Sequence, residues 1–500
     1  MMPLPKGEIA ESVPATGSLK MFTLAKQFVV SDTPDLLPPD WETFHQDRWW
    51  IGTLRDQGLP VVPMYTADAV QIGWLVGYAI DGSGEFIDQK CAVPVRATAA
   101  SIMEDVEQYL YTLAGRWAAV VLTARGSRFH VDPAASLAAV YCPEQHVVCS
   151  TLSLVPRRPS TRDHEELARL LDIPAKDGWY TFGLTPRVDV HRVLPNHYLD
   201  LATWKTVRHW PTGQPAFVSP DQVGAQVERI ASRIERTISA VVRHGPTTMS
   251  LTAGHDSRVL LACARDVRHK IEFGTLRIPD PKAELDCDIA DRIARRHGLK
   301  HEIFDWIEAS EEDIQEWLYR TGSCAVAGRT MRGVRCGRHP SPQVISINGV
   351  MGELGRPYYW RSSDREDARL SARDLVERIN LPACDLVVRE CEKWLAGIPC
   401  DNAFTILDLL YLEQQLGCWG GPQLYGHVHD LLIIWPFNHR DVVDAMVHLP
   451  VEYRRRWRLV PDLVRSRWPE LNRHPINRYP GLRGFLPRVA RKLRQVVQAR

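Results

Sequence analysis

The chain has little lysine: 11 of its 61 basic residues, against 50 arginines. An arginine keeps its proton at any physiological pH, so few cationic side chains here can shed one and act as a base. No lysine stands between Lys393 and Lys492. A dominant charge of one sign is also missing. The formal net charge is +1 at pH 7, which gives a polyanion such as a nucleic acid nothing to follow over the whole surface. No apolar run approaches the ~18 residues that read as a membrane-spanning helix. The opening stretch MMPLPKGEIAESVPATG has no apolar core of a secretory signal, so the expected compartment is the cytoplasm. The 11 cysteines contain no Cys-x-x-Cys pair, so neither a zinc knuckle nor a dithiol is encoded, and free buried thiols are expected.

What is present is the composition of a soluble globular protein, 45% hydrophobic and 24% charged over 500 residues, long enough for two or three domains. Residues 1–25 read as a loose arm. From 26 to 155 the signals predict an α+β sheet sandwich. Ile72, Trp74, Val76, Tyr78 and Ile80 alternate as a half-buried strand does, and Ile102, Val106, Tyr109, Leu110 and Leu113 recur at helical spacing. Residues 156–220 form a connecting segment with a hairpin around Val193–Leu201, in which His197 reads as a structural histidine. From 221 to 480 strands alternate with helices: Val223, Val227, Ile230, Ile234 and Ile238 mark a helix, then come Ile271–Thr275, a helix through Leu285, Ile289 and Ile293, and His301–Phe304. That order predicts an α/β domain with a parallel sheet, whose ligands bind outside the carboxyl ends of the strands. Residues 481–500 form a basic tail with apolar Phe485, Leu486, Val489, Leu493, Val496 and Val497 at helical spacing, suited to packing on its own domain, to a membrane surface or to a partner.

The centre of the second half is Thr247–Ala264, TTMSLTAGHDSRVLLACA. A short apolar strand runs through the small-residue turn Thr252-Ala253-Gly254 into a helix start. Backbone N–H groups and the helix dipole then face an anion, and Asp256 beside them is placed to hold a divalent ion on phosphate oxygens. The plain alternative is a strand-to-helix turn with a capping aspartate.

Thr252-Ala253-Gly254-His255-Asp256-Ser257 resembles the Ser-Gly-Gly-x-Asp-Ser loop of the ATP pyrophosphatases. Its continuation Arg258-Val259-Leu260-Leu261 is similar to the asparagine synthetase and β-lactam synthetase branch; Ala253 replaces a glycine. Gly115-Arg116-Trp117 through Val131-Asp132-Pro133 to Tyr141 resembles that branch's N-terminal glutaminase-type domain, but the chain begins Met1-Met2-Pro3 and its first cysteine is Cys91. Glutaminase chemistry needs an N-terminal cysteine whose own amine is the base. The resemblance therefore implies a degenerate, glutaminase-like domain, as in β-lactam synthetases and lasso-peptide cyclases, ahead of an ATP-pyrophosphatase-type domain.

The resemblance implies ATP on Thr252, Ala253, Gly254, Asp256, Ser257 and Arg258, with adenine held by the backbone of Thr275 and Leu276. Asp286 falls where the branch has an acid near a helix start. Asn348-Gly349-Val350-Met351-Gly352-Glu353 resembles the Ser-Gly-x-Gly-Ala-Asp-Glu stretch, with Gly352 where the aspartate is expected. Asp256 and Glu353 are thus the implied Mg2+ ligands; pairing of Glu353 with an arginine is the alternative. Leu416–Gly420 and Trp435-Pro436-Phe437-Asn438-His439-Arg440-Asp441 resemble stretches expected to close the substrate pocket. Tyr453–Leu459 resembles the closing segment that carries a lysine in the branch. Here Arg455, Arg456 or Arg458 is the expected cation, the last two being the expected catalytic pair with Asp256 and Glu353.

The implied activity is ATP-dependent carbon–nitrogen ligation: adenylation of a small-molecule or peptide carboxylate, then attack by ammonia or a substrate amine, in natural-product or peptide biosynthesis. A pseudoenzyme that binds a nucleotide, a peptide or a partner is the alternative. A partner protein or a homodimer fits either reading.

Overall fold

The computed structural model describes residues 22–326, 344–427 and 431–478. Most of the expected arm and all of the expected tail lie outside them. The protein is mixed α/β, with two largely antiparallel sheets in its first half and one parallel sheet in its second.

The six-stranded sheet runs, in spatial order, His191–Val193, Ala139–Cys142, Val147–Cys149, Phe28–Ser31, Trp49–Leu54, Trp41–Gln46. The seven-stranded sheet runs Lys205–Arg208, His197–Asp200, Gly126–Val131, Ala114–Thr123, Gln71–Ile80, Val61–Tyr65, Cys91–Ala92. Phe28, Ile51, Trp74, Val120 and Phe129 share one buried core, as the inner faces of packed sheets do. The Gln71–Ile80 strand differs from expectation in being buried along nearly its whole length. The helix Ile102–Leu110 packs Ile102, Val106 and Leu110 with Ile72, Leu75 and Ala79 of that strand, so its other residues are covered too.

The expected connecting segment, 156–220, docks on the sandwich. Its strands pair with both sheets: His191–Val193 with Ala139–Tyr141, and Tyr198–Asp200 with Arg128–His130. The sandwich therefore takes in chain as far as Arg208. His197 bonds through Nδ1 with the Pro195 carbonyl at 2.8 Å, a structural role.

In the second half, the helix Val223–His244 precedes a sheet in the order His301–Asp305, Ile271–Arg277, Thr247–Ser250, Val344–Ile347, Leu431–Ile434, with every pairing parallel. Met249, Phe273, Ile345, Ile347 and Ile433 share its core with Ile230, Ile234 and Ile238 of that helix. The first strand of this sheet, Thr247–Ser250, lies between the second, Ile271–Arg277, and the fourth, Val344–Ile347. The chain reverses its direction of travel across the sheet there, leaving a crevice at the strand ends. A third core gathers Leu375, Val387, Cys391, Leu407 and Leu410 from the helices Ala372–Arg378, Asp385–Ala396 and Ala403–Leu409 and the π-helix Leu410–Gly420.

The halves are joined through Asn438. Its amide donates to the Gly115 carbonyl at 2.8 Å and Asp132 Oδ1 at 2.7 Å, and its oxygen accepts from the Ala134 N–H at 3.1 Å. The Trp435–Asn438 stretch, expected to close a pocket, is thus the seam between the halves, because an amide has both donor and acceptor for exposed backbone groups. No helix among the described residues is long and apolar enough to cross a membrane.

Candidate functional site

The residues predicted from the two strand ends converge at the crevice. Thr247–Ser250 leads through Thr252–Gly254 into the helix His255–Cys263, whose first turn has no side-chain cap and contains Asp256. Val344–Ile347 leads to a tight 3-10 turn, Gly352–Gly355, which presents Glu353. Met351 at the head of that turn has φ +83°, a left-handed conformation that costs a side-chain-bearing residue energy.

Between Asp256 and Glu353 lies a guanidinium. Arg356 donates from Nη1 to Asp256 Oδ1 at 2.5 Å and from Nη2 to Asp256 Oδ2 at 2.8 Å, and Nη2 also reaches Glu353 Oε1 at 3.1 Å. Glu353 Oε2 accepts from the Tyr411 hydroxyl at 2.7 Å. Burial, and then the neighbouring Asp256 charge, push the Glu353 carboxyl up to about 7, against the opposing pull of Arg356. Arg356 itself is held charged by its carboxylates, chiefly Asp256, against burial. Trp457, at φ +56°, packs over the group: Arg356 Cζ lies 5.5 Å from its ring centroid, and the His255 ring 5.0 Å from it. His255 Nδ1 is buried without a partner, and burial lowers that ring's pKa.

This donor set does not fit a protein-held Mg2+. All four carboxylate oxygens accept from Arg356 or Tyr411, and no cluster of three or more potential ligands occurs among the described residues. The pairing of Glu353 with an arginine is the alternative that holds. Gly352 fits the same picture. A Cβ there would stand 2.1 Å from Asp256 Oδ1, so the aspartate of the resembled motif has no room while Asp256 keeps this position.

The loop itself is braced from within. The Ala253 N–H donates to Asp286 Oδ1 at 2.8 Å, the Gly254 N–H to Thr252 Oγ1 at 3.0 Å, and the Thr252 N–H to Ser257 Oγ at 3.3 Å. Burial raises the Asp286 carboxyl, and the Ala253 amide opposes that rise. Ala253 is buried, so its methyl packs into the core rather than lining the opening.

Other expected site residues lie elsewhere. Arg258 is buried and turned to the chain end, donating to the Leu471 and His474 carbonyls at 3.1 Å, because it falls on the helix face opposite the opening. Thr275 is buried, its hydroxyl donating to the Leu251 carbonyl at 2.6 Å, and its backbone and that of Leu276 lie in register with Ile303 and Phe304. Arg456 and Arg458 face solvent, with side chains 75% and 49% exposed, pairing with Glu452 and Asp462. The inward arginine of that segment is Arg454, which grips Asp408 with two bonds of 2.6 and 2.7 Å and the Leu354 carbonyl at 2.7 Å, fixing the Glu353 turn from behind. Cys91 is no nucleophile: it is buried beside the Tyr109 hydroxyl, and burial pushes its thiol up to about 11. The described cysteines are all free.

No protein-family model matches the chain, and no curated protein matches it. Among solved structures, a glutamine phosphoribosylpyrophosphate amidotransferase from B. subtilis, complexed with ADP and GMP, aligns at 11% identity and a TM-score of 0.21 over 65% of this chain and 69% of that one. A structure described as the allosteric regulatory enzyme of purine biosynthesis aligns at 10% identity and a TM-score of 0.21 over 73% and 72%. Superpositions this loose carry no argument about activity.

Proposed function

We propose that the chain is an asparagine-synthase-like, ATP-dependent carbon–nitrogen ligase with a degenerate glutaminase-like first half. The observation that supports this reading is the convergence of an uncapped helix N-terminus, Asp256 and Glu353 at the point where the parallel sheet reverses its strand order. Such a crevice is where doubly wound sheets take nucleotides, and an open helix start suits phosphate. In the proposed reaction a substrate carboxylate oxygen attacks the α-phosphorus of ATP and pyrophosphate leaves. An amine nitrogen then attacks the acyl carbon, AMP leaves, and the amine's proton passes to solvent. Holding acid and amine in one crevice lowers the entropic part of the barrier. In this reading the amine is free ammonia or belongs to the substrate, which fits peptide or natural-product assembly.

One observation favours the second reading, a nucleotide, peptide or partner-binding module without turnover. Arg356 fills the gap between the two acids, where the chemistry of the resembled family needs an open site.

The test is calorimetric titration with a non-hydrolysable α,β-analogue of ATP, with and without Mg2+, on the native chain and on Asp256→Ala. Binding that weakens at least tenfold in the variant supports a nucleotide site. Pyrophosphate release on adding carboxylates then separates the ligase from the binder. No heat at millimolar analogue would end both nucleotide readings.

A further inference from the structure

Among the described residues only two Trp, Tyr or Phe side chains are exposed, Trp457 at 42% and Tyr358 at 48%, and both stand at the Asp256 crevice. Trp457 lies over Arg356, Cζ to ring centroid 5.5 Å, and meets the His255 ring at 5.0 Å. Tyr358 packs on Tyr411 with centroids 4.5 Å apart, and the Tyr411 hydroxyl donates to Glu353, whose other oxygen accepts from Arg356. Both rings therefore rest on one group, Arg356 with its two carboxylates. Single exposed apolar residues are ordinary on a protein surface. Here both exposed rings fall at one opening rimmed by charged groups, which marks a contact surface.

The two rings are held in place. Trp457 has φ +56°, a left-handed conformation that a bulky residue keeps only where its surroundings impose it, and such strain gathers at ligand clamps. Tyr358 is backed by Tyr411 and, edge on at 4.9 Å, by Tyr359, whose hydroxyl donates to Gln415 Oε1. The guanidinium groups near them are already paired: Arg356 with Asp256 and Glu353, Arg454 with Asp408, Arg456 with Glu452 and Arg458 with Asp462. An acidic substrate side chain thus meets no unpaired cation among these residues. A basic one meets the fixed charge of Arg356, which already covers a face of Trp457. What the opening offers freely is aromatic surface.

We propose that Trp457 and Tyr358 select the acyl substrate of the crevice, binding an acid whose side chain is a planar aromatic ring rather than an acidic or basic group. Ring-on-ring contact adds to the burial of apolar surface, and both rings are fixed before the substrate arrives, so little ordering is lost on binding. The proposal rests on the ligase reading for the role of the bound acid. The preference itself is a property of the rings and is measurable without turnover.

The experiment titrates the full chain with N-acetyl-L-phenylalanine, N-acetyl-L-aspartate and N-acetyl-L-arginine by saturation-transfer NMR, with and without the α,β-analogue of ATP. The three acids share the reacting carboxylate and differ in the side chain. The phenylalanine derivative is expected to bind about tenfold more tightly than either of the others, the scale of one good aromatic contact. Trp457→Asn, whose side chain tolerates the left-handed backbone, should bring that ratio close to one, while Trp457→Phe keeps most of it. Tyr358→Ser is the independent second variant, with the same expected loss, should Trp457→Asn fail to fold. A ratio is unmoved by a general weakening of the crevice, so a merely structural role for either ring would leave it intact. The proposal is overturned if none of the acids binds at millimolar concentration, if all three bind alike, if the aspartate or arginine derivative binds best, or if the folded variants keep the native ratio. A preference that persists while the ATP analogue fails to bind would sink the ligase reading and leave the aromatic site standing. Analogue binding without the preference would sink this proposal alone.

Discussion

Arg356 holds both oxygens of Asp256 in a two-pronged grip at 2.5 and 2.8 Å, and so occupies the space between Asp256 and Glu353 with a fixed positive charge. A divalent ion would have to displace it. The native chain should therefore show no Mn2+ binding without nucleotide by electron paramagnetic resonance, while Arg356→Ala should gain a site. The same change leaves two carboxylates facing each other. It should cost about 2 kcal/mol in urea unfolding, less than the ~3–5 kcal/mol for a fully buried pair, because Arg356 and Asp256 keep some solvent contact. Tight Mn2+ binding by the native chain would refute this picture.

Gly352 gives a second, steric test of the same arrangement. With a Cβ only 2.1 Å from Asp256 Oδ1, Gly352→Ala must push Asp256 or the turn aside. A loss of about 1–3 kcal/mol is expected, in the range of overpacked sites. The loss should shrink in an Asp256→Ala background, and an unchanged penalty there would mean that the two residues do not touch. Double-mutant cycles by thermal or urea unfolding measure the coupling.

The contrast between these residues explains what was legible in the chain. The Thr252–Ser257 loop was readable because strand, small-residue turn and helix start are local signals. The meeting of Asp256 with Glu353 followed from the parallel order of strands. Which of 50 arginines enters the crevice did not follow. That depends on the 3-10 turn Gly352–Gly355 and the left-handed Met351, which swing Arg356 back toward Asp256. The closing segment misled for a similar reason: its helix, Val451–Arg455, is so short that a shift of two positions separates the inward Arg454 from the expected Arg456, which lies just past the helix end. The role of Asn438 was hidden because its partners lie about three hundred residues away along the chain.

That distance makes Asn438 a test of how the halves are coupled. Asn438→Ala removes the side-chain donor to the buried Gly115 carbonyl and to Asp132 Oδ1, which keeps the Ala134 and Ser136 N–H groups, and the side-chain acceptor of the Ala134 N–H. The expected cost is about 2–3 kcal/mol, the penalty for stranding buried polar groups. Because the loss falls on the seam, calorimetry should show the single unfolding transition broadening or splitting into two. A variant that unfolds as sharply and as late as the native chain would show that the seam is held elsewhere.

The neighbouring histidine carries the pH dependence of the seam. His439 is buried at the start of the helix Arg440–Val447, and its Nδ1 accepts from the Asp441 N–H at 3.0 Å, so that nitrogen is unprotonated. Burial lowers its pKa to about 4, with Arg229 and Arg233 acting in the same direction and Asp441 and the Thr112 backbone opposing. An unfolded histidine titrates near 6.5. Between those values the unfolded chain takes up a proton that the folded one refuses, so the contribution of His439 is present above pH 6.5 and is lost as pH falls toward 4. His439→Asn keeps an acceptor for the helix start and removes the titration. The stability difference between native chain and variant should narrow by about 1 kcal/mol from pH 7.5 to 5.5 in urea unfolding, the scale that one titrating group sets over that range. A difference independent of pH would mean that His439 is protonated equally in both states, and would remove the basis for a neutral, acceptor imidazole at the seam.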